Sequence, residues 1–224
     1  MADRGDPVPG GSAPDGGDPD RADVLFQDAA ATGQAGGAST GACVALAERS
    51  LLAIGRGAWE AAERHLSQAR SLARDANLED YPPITILHAA AARIALYQHD
   101  RPRAIAELTR AQRLRPGLTY ALPYLAVQAR IELARCYLAL ADVAAARILL
   151  QEIEEVLTRH PALGIFAGQA GDLRAELSSA RRSSAPGASA LTAAELRLLP
   201  MLPTHLSFPQ IGEEMFLSPN TVKS

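Results

Sequence analysis

Lysine occurs once in this 224-residue chain, at Lys223, and cysteine twice, at Cys43 and Cys136. Two cysteines cannot build a disulfide framework. Both fall on apolar helical faces, where they read as small buried hydrophobes. No apolar run approaches the ~20 residues that span a bilayer, and no charged-then-apolar leader opens the chain. A cytoplasmic location, without a membrane, is the expectation. Aromatic residues make up 4% of the chain, so a core must be built from Ala and Leu. That suits closely packed helices better than stacked sheets. The formal net charge is −3, with no basic excess that demands a polyanionic partner.

The signatures of catalysis are missing as well. His65, His88, His99, His160 and His205 are scattered, with no Cys, Asp or Glu at a repeating metal-ligand spacing. A satisfied or exposed imidazole is the expectation for His65. Gly10-Gly11 and Gly16-Gly17 neither follow a strand nor precede a Gly-Lys-Ser/Thr triplet, so no phosphate loop is present. Glu152, Glu154 and Glu155 read as a solvated helix face, and Trp59 as a packing anchor. The chain is read as not an enzyme, with no cofactor and no metal.

What is present is a repeat. Ala62, Leu66, Ala69 and Leu72 recur 42 residues on as Ala104, Leu108, Ala111 and Leu114, and again as Ala146, Leu150, Ile153 and Val156. The preceding segments keep the same step: Ala47, Ala89 and Ile131; Leu52, Ile94 and Cys136; Ile54, Leu96 and Leu138. Small or apolar residues at matched places and a fixed period are the mark of stacked helical pairs. Each unit reads as a helix (42–54, 84–97, 123–139), a short turn and a second helix (58–76, 103–114, 144–159). Tyr81-Pro82-Pro83 and Arg115-Pro116-Gly117 are breaks between units. A further helix over 162–180 would cap the row, at a cost from Gly164, Gly168 and Gly171. The repeats therefore occupy 42–180.

Residues 1–41 are rich in Gly, Pro and Asp and hold too little apolar surface to offset the entropy of ordering. They are expected to form a disordered acidic tail, with at most a short helix near Val24 to Ala31. Residues 181–190, rich in Arg, Ser, Ala and Pro, read as a linker.

The last stretch, 191–224, contains three helix starts. Thr192 with Glu195, and Ser207 with Gln210, are spaced as capping boxes. Ser218 followed by Pro219 places a cap before a proline at the first helical position. A short helix, a tight turn and a second helix opening with Ser-Pro-Asn-Thr-Val-Lys is a helix-turn-helix pattern. Pro200 lies well inside the first of these helices and is expected to bend or end it.

The run Leu191-Thr192, Glu195-Leu196, His205-Leu206-Ser207, Gln210-Ile211-Gly212 and Phe216 to Lys223 resembles the LuxR-type DNA-binding domain found at the C-terminus of large MalT-like regulators. The upstream repeats resemble tetratricopeptide repeats with a longer unit, and are similar to the helical pairs that precede that domain in MalT-like proteins. The resemblance implies an all-α fold: a TPR-like helical-pair solenoid followed by an incomplete helix-turn-helix. It also implies a DNA-binding transcriptional regulator whose DNA-facing residues are Ser218, Asn220, Thr221, Val222 and Lys223. By the same resemblance Val222 would lie against a thymine methyl and Lys223 would contact phosphate or guanine.

From Pro219 to Ser224 there are six residues, less than the ~7 that make two helical turns. DNA binding by this chain alone is therefore expected to be weak or absent. The partners implied are DNA once the recognition helix is complete, a protein or peptide in the repeat groove, and a second copy in a homodimer. The alternative function is a protein-interaction scaffold that carries an inert helix-turn-helix remnant.

Overall fold

The computed structural model describes residues 18–119 and 121–183. The helix-turn-helix segment expected over 191–224 lies outside them, as do residues 184–190 of the linker and residues 1–17 of the tail; the linker's first three residues, 181–183, instead continue the last described helix. The described part is all-helical. Its elements are α1 (Pro19–Ala35), α2 (Ser39–Gly55), α3 (Trp59–Asp75), α4 (Thr85–Tyr97), α5 (Arg101–Leu114), α6 (Pro123–Ala139), α7 (Val143–Arg159) and α8 (Phe166–Ser183). Two single-turn 3-10 helices, Pro82–Ile84 and Arg115–Gly117, occupy the two proline breaks.

Three hairpins follow one another: α2 with α3, α4 with α5, and α6 with α7. Their first helices also touch in order, α2 on α4 and α4 on α6. The division of labour follows from composition. α2, α4 and α6 each bury ten residues, whereas α3, α5 and α7 bury four or five. A helix that is apolar nearly all round sits inside, and one with a single apolar stripe covers it. The stripe is the repeated one: Ala62, Leu66 and Ala69, then Ala104, Leu108 and Ala111, then Ala146, Leu150 and Ile153, all buried. Alanine at the first position lets the paired backbones approach, and burying each leucine contributes about 2 kcal/mol.

The hairpin turns carry the same period. Gly57, His99 and Ala141 all hold a left-handed backbone, with φ of 70°, 59° and 62°. The next residue's amide reaches back to close the helix each time: Ala58 to Ala53 O at 2.8 Å, Asp100 to Ala95 O at 2.9 Å, Asp142 to Tyr137 O at 2.8 Å. This is the Schellman ending. The same residue then opens the next helix. Asp100 accepts from the Arg103 amide and Asp142 from the Ala145 amide, both at 3.0 Å, but Ala58 has no side chain to do so.

The N-terminal segment departs from expectation. Residues 19–35, expected to be a disordered tail with at most a short helix near Val24 to Ala31, form the full-length α1, and α2 begins at Ser39 rather than 42. Asp18 caps α1 through the amides of Asp20 and Arg21, and Pro19 stands at its first position. Its acidic residues are held from α2: Asp23 by Arg49 at 2.8 Å and Asp20 by Arg56 at 2.7 Å. Gly33 brings the two helices together, since a Cβ there would meet that of Ala42 at 3.0 Å. Long-range contacts, invisible to local composition, hold the segment: Ala30 joins the apolar cluster of α2 and Phe26 packs against it, with the half-buried Arg49 pair added.

α8 starts at Phe166, after a turn in which Gly164 has φ of 57°. Phe166, Ala170, Leu173 and Leu177 point inward and join Leu149 and Ile153 in one apolar cluster. No helix among the described residues is long and apolar enough to cross a membrane.

Candidate functional site

The DNA-facing residues read from the sequence, Ser218, Asn220, Thr221, Val222 and Lys223, all lie outside the described residues. The two cysteines are both buried. Burial pushes the Cys43 thiol up to about 11 and the Cys136 thiol up to about 12, which leaves them protonated and unreactive at neutral pH. Among the described residues no group of three His, Cys, Asp or Glu side chains could hold a metal ion.

Two single residues have surroundings the sequence did not show. Glu152 is half-buried and pairs with Arg115 and with Arg130, the latter at 2.8 Å. Nδ1 of His65 is buried and has no partner, while the residue as a whole is half-buried. Burial first, and then the Arg49 charge, hold its pKa below the usual histidine value. Trp59 does pack as an anchor: its ring stacks on Tyr97, centroids 3.7 Å apart and 6° from parallel.

The structure gathers polar side chains that the sequence did not single out. Glu107 on α5 is buried and accepts from Arg70 of α3 at 2.7 Å and from Arg110 at 3.0 Å; His88 Nδ1 of α4 lies 2.7 Å from it. Burial would raise the Glu107 carboxyl, but the His88 hydrogen bond and the arginine charges outweigh it and hold it below the usual range. The cluster ties three helices together and floors a cavity of about 440 Å³. Glu132 on α6 is likewise buried, with Arg93 and Arg135 each at 2.6 Å. In both clusters the buried carboxylate is already matched by two arginines, which makes them latches between helices.

A second cavity, of about 470 Å³, is different in kind. α1 gives it Phe26, α2 gives Val44 and Glu48, the break before α4 gives Tyr81, and the start of α6 gives Tyr124 and Leu125. Glu48 is 4% exposed and receives only the side-chain amide of Gln128. Burial pushes its carboxyl up to about 7, the Gln128 hydrogen bond opposes this, and the Glu132 charge adds to it. The Gln128 side-chain oxygen is itself buried without a partner. Tyr124 is braced edge-on by Phe166 of α8, centroids 4.7 Å apart.

Comparison of the chain with family models, with curated proteins and with solved structures gave no match. The all-helical fold and the geometry of these clusters are what constrain function.

Proposed function

We propose that the chain carries the helical-repeat segment and the opening of the DNA-binding module of a LuxR-type transcriptional regulator, and that it acts in the cytoplasm and catalyses no reaction. The observation that carries this reading is the order of the chain. A row of helical hairpins with matched turns at Gly57, His99 and Ala141 precedes a stretch, Leu191 to Lys223, whose capping and turn residues fall in helix-turn-helix order. In this reading the hairpins form a TPR-like solenoid that receives a signal and sets dimerisation. Dimerisation then pairs two recognition elements on DNA, through Ser218, Asn220, Thr221, Val222 and Lys223.

Fluorescence anisotropy with labelled duplex DNA tests it, using this chain and a version whose recognition helix is extended beyond Lys223. The extended version is expected to bind with an affinity that falls steeply as salt rises, because phosphate contacts release counterions. This chain is expected to bind weakly or not at all. If neither binds, the reading fails in favour of a protein-interaction scaffold. One observation favours that second reading: Tyr81, Leu122 and Tyr124, each about half exposed, cluster around one cavity.

A further inference from the structure

The described residues include three buried glutamates, and they are not treated alike. Glu107 and Glu132 each meet two arginines. Glu48 meets none and has only an amide beside it. The repeat makes the contrast sharper. Glu48 stands two 42-residue periods before Glu132, at the matched place on α2. One arginine of Glu132 is Arg135, three residues further along α6. The residue three beyond Glu48 is Leu51. Beside Glu48, then, a carboxyl has lost its cation, and a cavity of about 470 Å³ opens there.

We propose that this cavity binds a small organic cation, with an ammonium group seated at Glu48 and an apolar body lying among Phe26, Val44, Tyr81 and Leu125. A buried carboxylate is costly without a counter-charge and gains most from one. Tyr124 and Tyr81 line the cavity half exposed, and aromatic rings attract a cation. The volume falls in the range of small-molecule sites, and an apolar lining with one placed charge is their usual make-up. Once ionised, Glu48 repels an anion, and a neutral apolar molecule would leave its charge unmatched.

Because Glu48 holds its proton up to about pH 7, seating a cation releases that proton, so binding strengthens as pH rises towards neutrality. The groups that bear on Glu48 are Gln128, Glu132 and Tyr124, all of α6. The charged residues of α1 nearest α2, Asp20 and Asp23, are engaged by Arg56 and Arg49. This inference does not depend on the DNA-binding reading.

The test is isothermal titration calorimetry of the full chain with 4-phenylbutylammonium and with 4-phenylbutan-1-ol, at pH 8 and pH 5.5. The cation is expected to bind at least about tenfold more tightly than the alcohol at pH 8, and to lose about tenfold on going to pH 5.5, as the linkage requires. Glu48→Gln should remove both the preference for the cation and its pH dependence. Gly41→Leu is the second variant. Gly41 lines the cavity, a Cβ there meets open space, and leucine suits a helix better than glycine. This variant should fold and block both probes. Equal binding of cation and alcohol at pH 8, no binding of the cation, or a Glu48→Gln variant that keeps the preference would each overturn the proposal.

Discussion

Exchanging glycine and alanine between two matched turns separates backbone strain from every other contribution. Gly57 and Ala141 occupy the same left-handed position two periods apart, with φ of 70° and 62°. A Cβ built on Gly57 meets nothing within 4 Å, so Gly57→Ala adds no clash and the whole cost is conformational. An L-residue in this region costs roughly 1–2 kcal/mol, part of which is returned because alanine has less freedom to lose from the unfolded chain. Gly57→Ala should therefore destabilise by about 1 kcal/mol. Ala141→Gly should stabilise by about 0.5–1 kcal/mol for the same reason reversed.

In a chain of 224 residues, 1 kcal/mol corresponds to about 2–4 °C in Tm. The turns lie in different hairpins, so the double variant should fall within about 0.5 kcal/mol of the sum of the two changes, close to the parent chain. Urea denaturation followed by circular dichroism reads all four proteins, with an unchanged m-value as the check that only stability has moved. If Ala141→Gly destabilises by as much as Gly57→Ala does, the turns are not equivalent, and the reading of a repeated Schellman ending is wrong.

Three further outcomes are expected. Ala58→Asp should stabilise by about 1 kcal/mol, since Ala58 shares its φ and ψ with the capping residues Asp100 and Asp142; a thermal melt that does not rise would show that the Ala61 amide is out of reach. Glu107→Ala should destabilise by about 2 kcal/mol, below the 3–5 of a fully buried pair because Arg70 and Arg110 keep partial contact with water. Because the native Glu107 carboxyl lies below its ordinary value, its contribution is present above about pH 4.5 and lost as pH falls through the native pKa, so parent and Ala variant should converge in acid. Glu48 has the opposite sign. Its native value of about 7 lies above the ordinary 4.5, so its contribution is full below pH 4.5 and gone once pH has risen past about 7, a loss on the order of 3 kcal/mol. Glu48→Gln should leave the protein more stable than the parent at pH 8, and urea midpoints at pH 8 and pH 5.5 decide it.

The hairpins were legible because their information is periodic. Ala62, Ala104 and Ala146 mark the covering helices, and every helix edge of the three hairpins lies within three residues of its sequence reading. α1 was hidden because its stability is borrowed: Asp20 and Asp23 look like tail charges until Arg56 and Arg49 fold back onto them. The pairing of Glu152 was missed for the same reason, since neither Arg115 nor Arg130 shares its helix. The cavity at Glu48 had a signal in the sequence, the 84-residue step to Glu132 without a matching arginine. That signal is read only once Glu132 is known to need two.

The stack of Trp59 on Tyr97 joins the first turn of α3 to the last turn of α4, and Trp59 is the chain's single tryptophan. The protein thus contains an optical gauge of one seam. Excitation at the red edge of the tryptophan band, where tyrosine hardly absorbs, reports on the contact between the first and second hairpins. If neighbouring units part before the helices melt, tryptophan emission will move to longer wavelength while the far-ultraviolet signal stays constant, with no label introduced.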